Sequence, residues 1–312
     1  MIVKPAAPVF LARSCCPVCS SPDIKDHFAF DGLRTAICRA CDFMFTRDIM
    51  AAEALRDSYA EGYADQGHLD GQRVNATVNL KALQSFVPDL AGKSILDIGS
   101  GFGFLLAQAR TSGAASVLGV ELSIAERKYA DETLGVETLA RLDDIPGDAR
   151  FDIITLFEVI EHVPEPGVFL KQAQEYLKPG GSLIIGTDNF ESAVVRILGR
   201  GFPKWIPNEH ISLFTPATLA AVIKQAGNLK IAGMRSYTPW ELVVRQVAFQ
   251  LSGGRKGAST FSLAAALDYS AHGRAYRFFK FRLAMNKIWF QRTSRINAEG
   301  EIMYFHAMRP AP

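Results

Sequence analysis

The stretch SILDIGSGFG, residues 94–103, decides how this chain folds. Its first half, Ile95 to Ile98, is a short apolar run of the kind that forms a buried strand. Glycines follow at positions 99, 101 and 103, and a helical pattern begins at once with Phe104. Glycine is needed at such a junction because the backbone turns sharply and lets a ligand approach it closely, which a Cβ would obstruct. The stretch therefore predicts a strand, a tight turn and a helix.

The spacing of the glycines differs from that of a dinucleotide-binding turn. A dinucleotide-binding fingerprint, G-x-G-x-x-G, would place its third glycine at position 104, which is Phe104, whereas here it is Gly103. A second apolar run, Val117 to Glu121, ends in a carboxylate 22 residues after Gly99. Nucleotide-binding αβ units place the acidic residue that accepts hydrogen bonds from the ribose ~20 residues after the glycine turn. The two oxygens of Glu121 suit both ribose hydroxyls.

Two longer segments extend the pattern. FDIITLFEVIEHV, residues 151–163, predicts a buried strand with a polar tip, and LKPGGSLIIGT, residues 177–187, predicts a helix end, a stop and another strand. With the glycine turn, they closely resemble the class I S-adenosylmethionine-dependent methyltransferases, in their ubiquinone-biosynthesis-like branch. The resemblance implies an α/β fold with a Rossmann-like, seven-stranded, mostly parallel sheet, and methyl transfer from S-adenosylmethionine.

The resemblance also implies which residues contact this cofactor. They are Asp97, Gly99, Gly101, Gly103, Glu121, Leu122, Leu142, Asp143, Phe157, Tyr63 and Arg73. Relatives often carry an aspartate that receives the adenine amino group, and here Leu142 stands in that place with Asp143 beside it. Arg73 would pair bidentately with the carboxylate of the cofactor. For Tyr63 and Arg73, a packed aromatic and a solvated arginine are the open alternative.

The polar tip of the 151–163 segment carries a candidate metal site. Glu158, Glu161 and His162 are related as i, i+3 and i+4, so on a helical turn they would converge. In the ubiquinone-type enzymes that this chain resembles, the matching residues hold magnesium. Carboxylates suit that cation, whereas imidazole is a less usual ligand for it. The alternative is that the Glu-His pair only orders the loop.

Two histidines are candidate catalytic groups. His210 lies in HISLFTP, residues 210–216, which resembles the substrate-loop signature of small-molecule methyltransferases. The ordinary pKa of a histidine side chain, near neutral pH, suits removal of a proton from a hydroxyl. We predict His210 as the catalytic base and His162 as the second candidate. A structural cap of the loop is the alternative for His210.

All five cysteines lie within the first 41 residues. Cys16, Cys19, Cys38 and Cys41 form two C-x2-C pairs, the spacing of a four-thiolate zinc site on a small ribbon. A reduced, metal-free set or disulfides are the alternatives, and a cytoplasmic compartment disfavours disulfides. A closed thiolate shell would make the zinc structural. Cys15 is a bystander in this interpretation, and Asp42 stands where such ribbons often have glycine, in a left-handed turn.

The region before the last strand is basic. From Pro239 to Pro312 there are 11 Lys+Arg and 4 Asp+Glu, a balance of +7. Residues 274–292 predict an amphipathic helix. Its apolar face comprises Phe278, Phe281, Met285, Ile288 and Trp289, and its opposite, basic face comprises Arg277, Lys280 and Lys287. Either the aromatic face packs on the main domain, or the helix binds an anionic membrane.

Composition and length complete the expected organisation. With 48% hydrophobic residues and a net charge of +2, the 312 residues are those of an ordinary globular protein. No apolar run approaches the ~18 residues of a membrane span, and the N-terminus is unlike a secretory signal. We expect a cytoplasmic protein, with peripheral membrane contact through 274–292. The predicted parts are a zinc ribbon (1–45), a helical connector and cofactor lid (46–92), a methyltransferase domain (93–238 and 299–312) and a basic helical insertion (239–298).

The resemblance of the His210 loop and of the Glu-His tip to the small-molecule methyltransferases implies methylation of a hydroxyl on a small-molecule, sugar or lipid-linked acceptor, while carbon and nitrogen acceptors stay open. One alternative is an RNA methyltransferase, but Cys15 to Cys41 contains only three Lys or Arg residues, too few for a broad phosphate-binding surface. We therefore do not expect nucleic acid as a partner. The other alternative is a catalytically inactive cofactor-binding scaffold. The intact glycines and Glu121 argue against it.

Overall fold

The structure, a computed structural model, describes residues 10–61, 66–251, 274–294 and 298–311. The N-terminal part contains five short strands followed by two helices. The strands are β1 Phe10–Ala12, β2 Ile24–Phe30, β3 Leu33–Cys38, β4 Met44–Thr46 and β5 Asp48–Met50. The helices are α1 Ala52–Glu61 and α2 Gln66–Phe86.

The central part alternates strands and helices. Its strands are β6 Ser94–Ile98, β7 Ser116–Val120, β8 Thr138–Leu139, β9 Phe151–Phe157 and β10 Leu177–Asp188. Its helices are α3 Phe104–Thr111, α4 Ile124–Leu134 and α5 Pro166–Ala173. Local signals explain their limits, because the side chain of Ser123 caps α4 at its first turn and Gly135 ends it with a φ of 59°.

The C-terminal part adds four helices and three strands. They are α6 Ala193–Leu198, β11 Ser212–Leu213, α7 Pro216–Gln225, β12 Lys230–Tyr237, α8 Trp240–Leu251, α9 Arg274–Thr293 and β13 Ile302–Met308. Thr215 forms a capping box with Thr218, and Pro216 opens α7. The described part of the insertion between β12 and β13 is helical.

The main sheet has seven strands in the order β12-β13-β10-β9-β6-β7-β8. The pairs among β6 to β10 are parallel, whereas β13 runs antiparallel to both β10 and β12. The predicted seven-stranded, mostly parallel sheet is confirmed. The carboxyl ends of β6, β7, β9 and β10 lie at one edge of the sheet. Open α/β folds bind their ligands at this edge.

A second, smaller sheet joins the N-terminal part to the main domain. Its strand order is β11-β4-β3-β2, so that the short strand β11 from the C-terminal half completes it. We call these four strands the ribbon sheet. Strand β5, beyond the predicted boundary at residue 45, pairs with β1. The N-terminal part is therefore tied to the main domain by backbone hydrogen bonds.

Helix α9 packs with a face that only partly matches the predicted apolar face, since Trp289 packs on the core of the main domain. Asn286 and Phe290 are buried, the latter against the ring of Tyr237 at 5.1 Å between centroids. Phe281 and Ile288 are 52% and 45% exposed, on the same side as the exposed Lys280 and Lys287. The separation of an apolar and a basic face was wrong for these residues, because Tyr237 selects the buried side. The side chains of Arg277 and Phe278 lie outside those that the structure describes.

Within the described ranges, no helix combines the length and the apolar character needed to cross a bilayer.

Candidate functional site

The glycine turn has the backbone that its sequence predicts. Gly99, Gly101 and Gly103 have φ values of 75°, 53° and 78°, in the left-handed region that L side chains rarely adopt. A Cβ on Gly99 would lie 2.3 Å from Cγ2 of Val159. A Cβ on Gly103 would lie 3.0 Å from Ala130, so this glycine lets α3 and α4 pack closely. Gly103 therefore serves packing, and it does not line the cavity described below.

Glu121 connects the turn to the end of β7. Its Oε2 accepts a hydrogen bond from the amide of Gly101 at 2.9 Å, and its Oε1 accepts one from the amide of Ser123 at 2.9 Å. Burial raises the pKa of Glu121, and the charge of Glu126 adds to this effect. Each oxygen can accept a further hydrogen bond, so the carboxylate could still bind two hydroxyls.

A cavity of about 980 Å³ lies along the carboxyl edge of the sheet. Eight of the predicted cofactor residues line it: Asp97, Gly99, Gly101, Glu121, Leu122, Leu142, Asp143 and Phe157. Polar and ionisable residues from other segments line the same cavity: Tyr59, Asn75, Glu158, His162, Lys204, Asn208, Glu209 and His210. The cavity thus joins the glycine turn to both predicted histidines. Tyr63, which we also predicted to contact the cofactor, lies outside the residues that the structure describes.

Asp97 occupies the floor of the cavity at the end of β6. It is 3% exposed, and its Oδ1 accepts a hydrogen bond from the hydroxyl of Thr155 at 2.6 Å. Burial raises its pKa to about 7. The Thr155 hydroxyl holds the carboxyl group in place whether it is ionised or protonated.

Helix α2 contributes residues that the sequence did not single out. Gln72 lies over Gly101, and its Oε1 accepts a hydrogen bond from the amide of Phe102 at 3.0 Å. Glu126 anchors Gln72 and His68 through its Oε1, at 2.9 and 2.7 Å. Gln72 and His68 line the cavity. A glutamine and a histidine in a helical stretch carry no sequence signal, so only the packing of α2 identifies them.

The structure does not support the prediction for Arg73. Its guanidinium lies over the ring of Phe104, 4.8 Å from the centroid, and donates to the Tyr129 hydroxyl at 3.3 Å. Arg73 does not line the cavity. One residue is about 100° of helix rotation, which turns Gln72 toward the turn and Arg73 toward the aromatic rings.

The predicted triad of Glu158, Glu161 and His162 does not converge. Glu158 has a φ of 56°, so it precedes the 3-10 turn Ile160–His162 instead of belonging to it. Its carboxylate faces Asn75 Nδ2 at 3.3 Å and Lys204 Nζ at 3.4 Å. The i, i+3, i+4 argument assumed one helical turn, and this left-handed residue removes it.

Glu161 instead lies with the two histidines. Donor atoms of Glu161, His162 and His210 all lie within 4.8 Å of one another. Glu161 is fully buried, and its Oε2 accepts a hydrogen bond from Thr187 at 2.7 Å. Burial and the charge of Asp188 raise its pKa to about 7. One carboxylate and two imidazoles do not suit magnesium, which prefers oxygen ligands.

His162 is held by its Nδ1 atom. That nitrogen lies 3.0 Å from the carbonyl oxygen of Glu209 and 3.0 Å from the hydroxyl of Tyr59. Because a carbonyl only accepts, Nδ1 carries the proton and Nε2 keeps its lone pair. Burial, with the charge of His210, lowers the pKa of His162 to about 3. His162 is thus a neutral and weakly basic imidazole.

His210 is held by a buried carboxylate. Its Nδ1 lies 3.0 Å from Oδ2 of Asp188, which is fully buried at the end of β10. Burial opposes protonation, but the close contact with Asp188 and the negative charge of that carboxylate hold the pKa of His210 above its ordinary value. Asp188 also lies 3.5 Å from the ammonium group of Lys204. We did not predict Asp188 or Lys204 as site residues from the sequence. Asp188 is distant from His210 in the sequence, and Lys204 belongs to no recognised motif.

The four cysteines of the two C-x2-C pairs come together. Their Sγ atoms lie within 4.8 Å of one another, with Cys16–Cys41 at 3.6 Å and Cys19–Cys38 at 3.5 Å. A zinc–sulfur distance of ~2.3 Å gives a tetrahedron with edges of about 3.8 Å, so the cluster fits the metal. Cys15 is exposed and lies outside the cluster.

The two cysteine turns share one backbone conformation. In the first, the amide of Ser20 donates to the carbonyl of Cys16 at 3.0 Å, and in the second the amide of Asp42 donates to the carbonyl of Cys38 at 2.9 Å. Ser20 and Asp42 have φ values of 59° and 57°. Asp42 therefore adopts the left-handed turn that we expected of it.

Comparisons with known proteins agree with this architecture. A family profile described as a methyltransferase domain matches residues 72–229. The chain is 33% identical to the ubiquinone biosynthesis O-methyltransferase of Acinetobacter baylyi over 46% of this chain and 66% of that protein. It is 32% identical to the protein of that name from Xylella fastidiosa, over 52% of this chain and 72% of that protein. The chain thus spans about two thirds of the length of these relatives.

A solved structure shows the same fold. It is a methyltransferase complex from Haloferax volcanii that includes the Trm112 methyltransferase activator. The match has a TM-score of 0.51 and 15% identity, and covers 82% of this chain and 97% of that chain. With the family profile, the sheet order and the glycine turn in agreement, the chain belongs to the class I S-adenosylmethionine-dependent methyltransferases.

Proposed function

We propose that this protein transfers the methyl group of S-adenosylmethionine to a hydroxyl group of a small molecule. The observation that carries the proposal is the continuous cavity of about 980 Å³, which Glu121, the glycine turn, His162 and His210 all line. The two relatives named above, both called ubiquinone biosynthesis O-methyltransferases, support a hydroxyl acceptor.

The cofactor would be held by the residues of the glycine turn and its neighbours. Glu121 would accept hydrogen bonds from the ribose, and Leu122, Leu142 and Asp143 would surround the adenine. When bound, the cofactor supplies a methyl group made electrophilic by its sulfonium. The protein then has to align the acceptor oxygen and remove its proton.

His210 is the base that we propose for this proton. A base works best when its pKa lies near the working pH, and the contact of Nδ1 with the carboxylate of Asp188 moves the pKa of His210 toward that range. Because a carboxylate only accepts, the proton of the neutral ring belongs on Nδ1 and leaves Nε2 with its lone pair. His162, whose pKa is about 3, is a much weaker base. Its ring, 4.9 Å from that of His210, would orient the acceptor.

The general test is a screen with methyl-labelled cofactor. Sugars, phenols and lipid-linked hydroxyl compounds should be tried in parallel with total RNA. Labelled product from a hydroxyl compound supports the proposal. Transfer to RNA, or tight cofactor binding with no transfer to any acceptor, would favour one of the two alternative functions instead.

Cofactor binding should depend on Glu121. We expect Glu121→Ala to weaken S-adenosylmethionine binding about tenfold or more, because it removes charge-assisted hydrogen bonds to the ribose. Isothermal calorimetry measures the dissociation constant. Glu132→Ala, on the exposed side of α4, is the matched control and should bind as the wild type does. Equal affinity in all three proteins would contradict the assignment.

The rate should depend on pH through His210. Because the base must be unprotonated, kcat/KM should fall as the pH drops below the pKa of His210, which lies above 6.5. We expect His210→Ala to lower kcat roughly 10² or more and to remove this dependence, with cofactor affinity unchanged. The measurement is a pH–rate profile between about pH 6 and 9. A flat wild-type profile would rule out His210 as the base.

We further propose that the exposed side of α9 contacts anionic membrane, which would bring the site to a lipid-linked acceptor. Phe281 and Ile288 are about half exposed, next to the exposed Lys280 and Lys287. Apolar and basic side chains on one side suit a helix at an interface, where the lysines reach the headgroups. Basic residues add ~1 kcal/mol each to such binding.

This proposal has a direct test. Sedimentation with anionic vesicles should occur at low salt and fall as salt rises, because the attraction is screened over ~8 Å at physiological ionic strength. Replacing Lys280 and Lys287 by Gln should reduce it. Replacing Lys128 and Lys224, which are exposed on α4 and α7, makes the same change of charge and should have little effect. Equal loss in both double variants would mean non-specific attraction.

We also propose that the four-cysteine cluster binds a structural zinc ion. Metal analysis of the purified protein should find about one zinc per chain, and Cys38→Ser should lose it, since Cys38 is fully buried in the cluster. Cys15→Ser is the matched control and should retain the metal. Purified protein without metal that still resists protease in its first 50 residues would contradict the proposal.

A further inference from the structure

The loop that carries His210 is hydrogen-bonded to the ribbon sheet. Strand β11 pairs with β4 through Ser212 and Leu213, which lie opposite Phe45 and Met44. The amide of Thr46 donates to the carbonyl of Ile211 at 2.9 Å. The hydroxyl of Thr46, which is fully buried, donates to the carbonyl of His210 itself at 3.4 Å. The backbone of the proposed base is thus held on one side by the N-terminal part.

The loop that carries His162 has contacts to the same part. Arg13 donates through Nη2 to the carbonyl of Pro164 at 2.8 Å. Within the paired region, Ser212 donates to the carbonyl of Val163 at 3.1 Å, and the amide of Ile211 donates to the carbonyl of Glu161 at 2.9 Å. Both histidine loops therefore meet at β11, and β11 is a strand of the ribbon sheet.

The apolar contacts follow the same route. Cys16 and Cys38, both buried, belong to one continuous core with Ile160 of the His162 turn and Phe214 at the end of β11. Phe43, which follows the second cysteine turn, packs on Phe214 with 5.2 Å between ring centroids. A change at the cysteine cluster thus has a packed path to the histidines.

The glycine turn has different supports. Phe102 packs on Tyr129 of α4, and Gly103 abuts Ala130 of the same helix. Phe102, Phe104 and Ala130 belong to a second core, which contains none of the N-terminal strands. The chain after the turn is therefore held by contacts that the cysteines do not share, whereas the end of β6 lies in the first core.

From these contacts we infer that the ribbon sheet supports the two histidine loops of the acceptor site from behind, and that Thr46 is a positioning residue for His210. The four cysteines would act through the same sheet, so that an intact cluster controls turnover and leaves cofactor binding unchanged. The inference rests on the proposed function. It does not require the identity of the acceptor.

The first test removes one hydroxyl group. Thr46→Val should lower kcat about tenfold and change the pH–rate profile, because the His210 carbonyl loses its donor and the ring moves relative to Asp188. Cofactor affinity should stay at the wild-type value, and Thr46→Ser, which keeps the donor, should restore most of kcat. An unchanged kcat in Thr46→Val, or an equal loss in the Val and Ser variants, would overturn the inference.

The second test needs no turnover. Hydrogen exchange of Cys38→Ser should be faster than wild type at residues 44–46 and 211–213, while residues 102–106, which lie in the second core, stay protected and calorimetry gives the wild-type affinity for S-adenosylmethionine. Cys15→Ser should exchange as the wild type does. Equal acceleration at 102–106 would mean that the whole domain loosens, which would overturn the inference. If no acceptor is ever methylated, the proposed function fails, whereas this exchange pattern still decides the structural coupling.

Discussion

The left-handed backbone at Gly99, Gly101 and Gly103 is the constraint on which the rest of the site depends. It turns the chain from β6 into α3 within five residues and points the amide of Gly101 at the carboxylate of Glu121. That hydrogen bond fixes the end of β7 relative to the end of β6. The close approach of Val159 to Gly99 then brings the end of β9 to the same place. Three strand ends thus form the cavity floor, and the glycines at 99 and 101 permit their close approach.

Charge is distributed unevenly along this cavity. Near the turn, burial raises the pKa of both Asp97 and Glu121, and backbone amides help to stabilise the ionised form of Glu121. Near the histidines, Asp188 lies against His210 and Lys204, which lower its pKa despite complete burial. A buried carboxylate is costly unless it is paired, and Asp188 pairs with the ammonium group of Lys204 and contacts Nδ1 of His210. This pairing orders a loop that has little regular structure of its own.

Much of the fold could be predicted because its signals are local. The glycine turn, the cap at Ser123, the stop at Gly135 and the capping box at Thr215 are each read from a few adjacent residues, and each is present. The cysteine cluster was also predictable, since its spacing reflects a local turn used twice. Two of the wrong predictions concern the rotation of a helix about its own axis. Arg73 lies one residue from the position that faces the cavity, and the buried side of α9 is chosen by Tyr237, which is distant in sequence. Asp188 became visible as the partner of His210 only when β10 and the 190–214 segment were placed in space.

The pairing of β4 with β11 joins residues 44–46 to residues 212–213, which are separated by most of the methyltransferase domain. A segment that pairs with a distant strand in this way is difficult to replace on its own in a chimeric protein. If the first 50 residues were transplanted from a relative, their last strand would meet a partner strand with which it had not been matched. If they were deleted, β11 would lose β4, the strand with which it pairs, next to His210. Chimeras within this family should therefore take both segments from the same parent, so that a swap of the N-terminal part is also a swap of the loop that carries His210.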